Sequence, residues 1–231
     1  MASLGSIAWS SVGKKVITGI TGLALFGFVC VHLLGNLTLL IGPNAFNSYA
    51  HFLETAAHGW LIYAFEVYII AVFLFHIVSA VTVAWTDKRK ARQAGYKYSR
   101  DAGGKSRKSL ASRSMIYTGA ILLVFIIGHI FLFKFNGGNP HTLDEHGYKD
   151  LYKVVDEVFA SLGFVIFTVV SMILLGLHLR HGFWSAFQSL GWANDRYLPL
   201  LENLARVVAV VIAVGYIILP IYMHLTQPGG H

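Results

Sequence analysis

The sequence predicts an all-α membrane protein, a polytopic bundle of five transmembrane helices. Of its 231 residues, 55% are hydrophobic and only 13% are charged, about half the charged fraction of a soluble domain. Five apolar segments of 19 to 26 residues are each long enough to cross a bilayer. Helices satisfy every backbone hydrogen bond within such a run. We therefore predict one membrane domain, residues 1–231, with spans at 16–41, 60–85, 115–133, 158–179 and 207–225.

The composition also excludes several classes of site. The single cysteine, Cys30, lies in the middle of the first span. A disulfide framework, a cysteine-rich zinc or iron–sulfur site and a CxxCH motif for covalent haem are therefore excluded. The net charge of +7 does not indicate nucleic-acid binding, because the basic residues cluster in short connections between spans.

The distribution of lysine and arginine predicts the orientation of the bundle. With five spans, fifteen of the 18 basic residues fall on one side, ten of them in the connection between the second and third spans. The other side carries only Lys134, Lys149 and Lys153. Because basic residues are enriched in cytoplasmic loops, we predict a cytoplasmic N-terminus and an external C-terminus.

Four histidines lie inside the apolar spans, where an ionisable group indicates a functional site. At about 1.5 Å of rise per residue, His32 and His129 lie about 25 Å from the cytoplasmic edge of the first and third spans. The second and fourth spans run in the opposite direction, so His76 and His178 lie toward the cytoplasmic side. The four imidazoles thus occupy two levels, roughly 15 Å apart, with two helices contributing at each level.

Two imidazoles at one level are what a haem b requires, with one axial ligand from each face of the porphyrin. The depths predict a cytoplasmic haem held by His76 and His178 and an external haem held by His32 and His129. Two haems stacked in this way would form an electron path across the membrane. The competing interpretation of any single histidine is an interior polar group or a member of a proton relay.

A short internal repeat accompanies the histidines. Thr21-Gly22 stands eleven residues before His32, and Thr118-Gly119 stands eleven residues before His129. Eleven residues are close to three helical turns, which puts each threonine on the face of its histidine. The glycine would admit a bulky group, and the hydroxyl can hydrogen-bond a propionate or an imidazole. The alternative is that glycine and threonine are common wherever membrane helices meet.

Five segments together resemble a known family. They are SSVGKKVITGITG, VHLLGN at His32, FHIVSA at His76, GHIF at His129 and LHLRHGFWSAFQSLG from Leu177. The chain resembles, over nearly its whole length, the five-span, diheme cytochrome b membrane anchor of succinate:quinone oxidoreductase and fumarate reductase. Some fumarate reductases of this family carry a glutamate, used in a transmembrane proton path, where this chain has Gly176. The resemblance therefore does not extend to such a path.

The resemblance implies the same haem pairing and an assembly in the bacterial cytoplasmic membrane. A flavoprotein carrying covalent FAD and an iron–sulfur subunit would dock on the cytoplasmic face. The chain would transfer electrons between the iron–sulfur subunit and a quinone, with menaquinone and ubiquinone both open. It contains no flavin fold or succinate site, so we expect no dicarboxylate chemistry from this chain alone.

Further polar residues are candidates for supporting roles. Glu66 is a carboxylate inside the second span, suited either to proton exchange with a quinone or to a hydrogen bond with a neighbour. His51, Glu54 and His58, in the external connection, are candidates for the same exchange or belong to an interfacial turn. Three further candidates lie at the cytoplasmic edge: Lys15, Arg180 and His181. They could pair with haem propionates, or they could anchor the helices at the membrane interface.

Two other functions fit the same sequence pattern. One is a diheme cytochrome b of another quinone-linked complex, such as a hydrogenase or formate dehydrogenase anchor. The other is a haem-free, proton-coupled transporter whose histidines relay protons. A reduced-minus-oxidised optical spectrum separates the transporter from the haem proteins, and the partner subunits separate the two kinds of complex.

Overall fold

The computed structural model of the protein describes residues 7–87, 110–135, 143–144 and 147–226. Most of the basic connection between the second and third predicted spans, residues 88–109, lies outside these ranges. The described residues form seven α-helices: α1 (Ser11–Asn36), α2 (Pro43–Thr55), α3 (Trp60–Val81), α4 (Leu110–His129), α5 (Leu151–Phe159), α6 (Leu162–Ser189) and α7 (Leu198–Leu225). Short 3₁₀ turns (Leu37–Leu40, Ala56–Gly59) and π-helical turns (Thr82–Asp87, Ile130–Phe135) extend or join them.

The fold class predicted from the sequence is confirmed. In the described part of the chain, the only β-structure is an isolated bridge between Leu143 and Lys149. Within the same ranges, five helical segments are long and apolar enough to cross a membrane: Ser11–Leu40, Pro43–Trp85, Ser114–Phe135, Leu162–Ser189 and Leu198–Leu225. Large apolar side chains such as Val67 and Val210 remain exposed along these segments, which is expected of surfaces that face lipid.

The long helices alternate in direction. We call the side on which α1 begins the N side and the side on which α7 ends the C side. Helices α1, α4 and α7 run from the N side to the C side, and α3 and α6 return. Helix α1 packs against α3 and α6, α4 packs against α6, and α7 packs mainly against α6. As a result α1 faces α4, and α3 faces α6, across diagonals of a four-helix arrangement.

The helix boundaries differ most from the predicted spans in the fourth and fifth long helices. The fourth long helix begins at Leu162 rather than 158, because the side chain of Ser161 accepts a hydrogen bond from the Phe164 amide at 3.4 Å and caps it. It continues to Ser189, ten residues beyond the predicted span. The fifth begins at Leu198, with a proline in its first turn.

Two short helices close the C side of the bundle. The side chain of Asn47 on α2 donates to Asp150 Oδ1 (2.8 Å) and accepts from the Tyr152 amide (2.9 Å), which ties α2 to α5. His224 Nδ1 on α7 donates to the Phe159 carbonyl (2.8 Å). Beneath these bonds lies an apolar cluster of buried residues from α1, α2, α5, α6 and α7: Leu33, Phe46, Val155, Phe159, Val165, Ile212, Leu219 and Met223, with Leu39 from the 3₁₀ turn.

Candidate functional site

The structure brings the N-side pair of histidines together. His76 on α3 and His178 on α6 face each other across one diagonal, with ring centroids 6.5 Å apart and ring planes at 65°. Each histidine lies eleven residues, about three turns, from the N-side end of its helical segment, which is Asp87 after the π-helical turn that extends α3 and Ser189 in α6. They belong to helices that run in the same direction, so a similar distance from the helix ends puts them at one level.

Two threonines hold these imidazoles in one tautomer. Thr21 Oγ1 lies 3.2 Å from Nδ1 of His76 and donates to the Ile17 carbonyl at 2.7 Å. Because the only hydroxyl proton is used on that carbonyl, Nδ1 carries the proton and donates to Oγ1. Thr118 Oγ1 stands in the same relation to His178, 3.1 Å from Nδ1, with its proton on α4 carbonyls at 3.1 Å. Each Nε2 therefore keeps its lone pair, which is the state that binds a metal.

Glycines beside these threonines admit the imidazoles. A Cβ at Gly22 would stand 3.3 Å from Cε1 of His76, and a Cβ at Gly119 would stand 3.4 Å from Cε1 of His178. The sequence placed each threonine on the same helix face as the histidine eleven residues later, but the hydroxyls contact other histidines. Each threonine contacts an imidazole of the adjacent helix, at the N-side level, and not the histidine that follows it in its own helix.

The C-side pair is built on the other diagonal. His32 on α1 and His129 on α4 have ring centroids 5.9 Å apart and planes at 88°. Phe28 stacks on His32 at 5.3 Å, and Phe125 stacks on His129 at 5.7 Å. Asn36 donates to the His32 carbonyl at 2.8 Å, and its amide nitrogen lies 3.3 Å from His32 Nδ1.

The repeat in the sequence extends beyond the Thr-Gly pair and its histidine. Helices α1 and α4 share Thr-Gly-x5-Phe-x3-His, from Thr21 to His32 and from Thr118 to His129. Equivalent positions of the two repeats make equivalent contacts in the structure. In each repeat the threonine and glycine contact an N-side imidazole, and the phenylalanine stacks on a C-side imidazole. Phe28 and Phe125 were missed as site residues, although the same comparison of the two segments identifies them.

The spacing of each pair fits a metal held between two imidazoles. Such a metal lies about 2 Å from each nitrogen, and a ring centroid lies roughly 1 Å behind that nitrogen, so the centroids stand about 6 Å apart. The observed separations are 6.5 Å and 5.9 Å. Within the described ranges, no group of three histidine, cysteine or acidic side chains is suited to a metal. The donor set of each site is thus two imidazoles, which suits an iron whose other four ligands come from a porphyrin.

The residues predicted at the N-side edge occupy different environments. Lys15 is exposed, whereas its neighbour Lys14 is buried at 5% exposure. Nδ1 of His181 is buried and has no hydrogen-bond partner in the described part of the chain, and its ring meets the Trp184 ring edge-on at 5.1 Å. Arg180 is exposed and lies at a groove between α6 and α7.

The four residues predicted for quinone chemistry are not joined by hydrogen bonds to one another in the described part of the chain. Glu66 forms an ion pair with Lys134, at the end of the α4 segment. His51 lies against Tyr148, with ring centroids 3.8 Å apart, and its Nε2 is buried without a hydrogen-bond partner in the ranges that the structure describes. Glu54 and His58 are exposed, and His58 has a left-handed backbone (φ 57°) in the turn between α2 and α3.

Gly176 lies where α6 and α7 pack most closely. A Cβ there would stand 3.0 Å from Cβ of Ala213 and 3.4 Å from the Ala209 carbonyl. Small residues allow this close approach of two membrane helices. A glutamate at this position would have to displace α7.

Comparison with known proteins identifies a relative of this chain. The chain is similar to the succinate dehydrogenase cytochrome b558 subunit of Bacillus subtilis (strain 168). The two are 26% identical over 159 residues, which cover 68% of this chain and 69% of the relative. This similarity confirms the predicted resemblance to a cytochrome b subunit of a succinate:quinone oxidoreductase. No protein-family model matches the chain, and no solved structure matches it significantly.

Proposed function

We propose that this chain is the membrane anchor and electron-transfer subunit of a succinate:quinone oxidoreductase. In this proposal it binds two haem b groups, one between His76 and His178 and one between His32 and His129. The observation that carries the proposal is the presence of two imidazole pairs on opposite diagonals of one bundle, each spaced for a metal between its rings. Similarity to a succinate dehydrogenase cytochrome b subunit supports it independently.

At the N side, the role of this chain is to present two oriented imidazoles. The hydroxyls of Thr21 and Thr118 accept from Nδ1 of the ligands, which fixes the ring orientation and makes each Nε2 a stronger donor. Gly22 and Gly119 leave room for the rings. The unpartnered Nδ1 of His181 is available to a propionate at the same end, and the propionate roles of Lys15 and Arg180 remain predictions.

At the C side, aromatic rings surround the second imidazole pair. Phe28 and Phe125 cover one face of each imidazole, and the Tyr216 ring lies 6.2 Å from that of His32 while its hydroxyl donates to the Val29 carbonyl at 2.7 Å. These rings exclude water and restrict rotation of the imidazoles. An apolar, desolvated setting of this kind is one of the means by which a protein adjusts a haem potential.

The two sites serve electron transfer across the bilayer. Bis-imidazole haem supplies a one-electron carrier that exchanges electrons without binding substrate. We propose the N side as the cytoplasmic side, where the flavoprotein and iron–sulfur subunits dock. The quinone, menaquinone or ubiquinone, would exchange electrons with the chain, and Glu66, His51, Glu54 and His58 remain candidates for its protons. Of these, His51 offers a buried nitrogen with no hydrogen-bond partner among the described residues.

The test is a haem count on variants of the full chain. Purified wild-type protein should show b-type bands in a dithionite-reduced minus oxidised spectrum and about two haems per chain. His76→Ala and His178→Ala should each remove one haem, and His32→Ala and His129→Ala should each remove the other.

A matched control is available on α7. His224 is also in a long helix, but its Nδ1 bonds to the Phe159 carbonyl. His224→Asn should leave both haems in place. A wild-type protein without b-type bands contradicts the proposal and favours the haem-free transporter, and a His76→Ala protein that retains two haems contradicts the ligand assignment.

A further inference from the structure

A groove of about 580 Å³ runs along the outer surface between α6 and α7. Its floor consists of the small residues Gly176, Ala209 and Ala213, where the two helices pack closely. Its walls include the branched side chains of Ile173 and Val210, which are 50% and 61% exposed. The groove therefore opens on the surface that faces lipid and is separate from the interior of the bundle that holds the histidines.

Two arginines stand at the N-side end of this groove. Arg180 follows Gly176 by one turn of α6, and Arg206 precedes Ala209 by about one turn of α7, and both side chains line the groove. Arg180 has no hydrogen bond or ion pair with another described residue. Arg206 donates to Asn203 Oδ1 (3.1 Å) and lies 3.9 Å from a Glu202 oxygen, an exposed pair that contributes little and leaves most of its donors free.

The groove lies within one leaflet of the bilayer. From Arg180 to Ile173, and from Arg206 to Val214, it extends about 10–12 Å along the helices, less than half of a hydrocarbon core of about 30 Å. A groove at that depth is filled by lipid hydrocarbon chains, because water is excluded there. At its polar end, two guanidinium groups match the oxygen atoms of a phosphate.

We propose that this groove binds an anionic phospholipid, with its phosphate between Arg180 and Arg206 and an acyl chain along Gly176, Ala209 and Ala213. Basic pockets between membrane helices bind anionic headgroups in the same way. A quinone is a poorer occupant, because the groove lining offers no carboxylate, imidazole or phenol to exchange its protons. The proposal requires only that α6 and α7 span the membrane and is independent of the haem assignment.

The experiment is native mass spectrometry of the full chain, purified with any attached subunits. Phosphatidylglycerol and phosphatidylcholine of identical acyl chains are added in equal amounts. Wild-type protein should retain phosphatidylglycerol in preference to phosphatidylcholine. Arg180→Gln and Arg206→Gln should each reduce that preference roughly fivefold, the factor for about 1 kcal/mol per basic residue.

Two further variants separate the groove from general surface charge. Arg196 lies in the N-side connection between α6 and α7 and stands over the Tyr197 ring, so Arg196→Gln should leave the preference unchanged. Val210→Trp fills the groove from its exposed wall and should reduce retention of both lipids. A thermal melt of each variant reports folding separately, because Arg180 is also a predicted partner of a haem propionate.

Three results would overturn the proposal. The first is equal retention of the two lipids by the wild type. The second is an equal effect of Arg196→Gln and Arg180→Gln. The third is occupation of the groove by a quinone or by a second copy of the chain, detected as a quinone adduct or a dimer that Val210→Trp abolishes.

Discussion

Replacement of Thr21 by valine removes one hydrogen bond from the N-side site and little else. Valine has nearly the shape of threonine, and the hydroxyl has two kinds of partner: carbonyls of its own helix (Ile17 at 2.7 Å and Thr18 at 3.3 Å) and Nδ1 of His76 at 3.2 Å. The first is an ordinary bond within the helix. The second polarises the Nδ1–H of a proposed haem ligand, so its loss should change the potential of one haem.

The direction of the change follows from charge. Ferric iron draws more electron density from the imidazole than ferrous iron, which makes Nδ1–H a stronger donor in the oxidised state. Loss of the acceptor therefore destabilises the oxidised form more and raises the midpoint potential. If the two states differ by about 0.5–1 kcal/mol in this bond, the rise is about 20–45 mV for a one-electron couple.

The assay is a potentiometric titration of the haem absorbance in the full chain. Thr21→Val should raise one of two components by this amount, and Thr118→Val should raise the same component, because His76 and His178 share one proposed haem. The component is identified as the one that His76→Ala removes. Thr82→Val is the matched control, since Thr82 also donates to a helical carbonyl, that of Val78 at 2.6 Å, without contact to a histidine.

The reasoning fails if Thr21→Val and Thr118→Val shift different components. It also fails if both components stay in place, or if Thr82→Val has an equal effect. Each of these results would mean that the threonines support helix packing only.

Three further predictions concern packing around the site. Gly22→Ala places a Cβ 3.3 Å from the His76 ring and should reduce haem occupancy of the N-side site, measured by the pyridine haemochrome assay. Gly27→Ala on the same helix is the control: its Cβ meets no described atom within 4 Å, so haem occupancy should be unchanged. Asn47→Ala removes two bonds between α2 and α5 and should lower the stability of the detergent-solubilised protein by about 1–3 kcal/mol in a thermal melt; an unchanged melting temperature would refute the role of this contact. Gly35→Ala places a Cβ too close to the Tyr49 ring and should also lower the melting temperature, while Gly128→Ala, whose Cβ meets no described atom within 4 Å, should not.

The sequence was sufficient to predict the five long helices and the depths of the four histidines in the membrane. Long apolar runs without charge admit few structures in lipid, and the rise per residue converts position in the sequence into depth. Hence the five long helices and the juxtaposition of His76 with His178 and of His32 with His129 were accessible without coordinates. The two short helices on the C side were not predicted. They have 9 and 13 residues, which is too short for a membrane span, and the sequence carries no strong helix signal there.

The neighbours of each helix were harder to predict. Helical periodicity gives the face on which Thr21 lies but not which helix stands opposite that face, so its contact with His76 required the packing order. A similar limit applies at the N side, where adjacent lysines differ by about 100° around α1. Lys15 was the lysine predicted beside a haem propionate, but Lys14 is the one that is buried. The groove at Arg180 depends on the contact of α6 with α7 and has no signature in either helix alone.

The pairing of the histidines is tested most directly by low-temperature electron paramagnetic resonance of the oxidised protein. The account predicts two low-spin ferric signals in the wild type. His76→Ala and His178→Ala should abolish the same signal, and His32→Ala and His129→Ala should abolish the other. Loss of different signals from His76→Ala and His178→Ala, or the absence of any low-spin ferric signal in the wild type, would contradict the account.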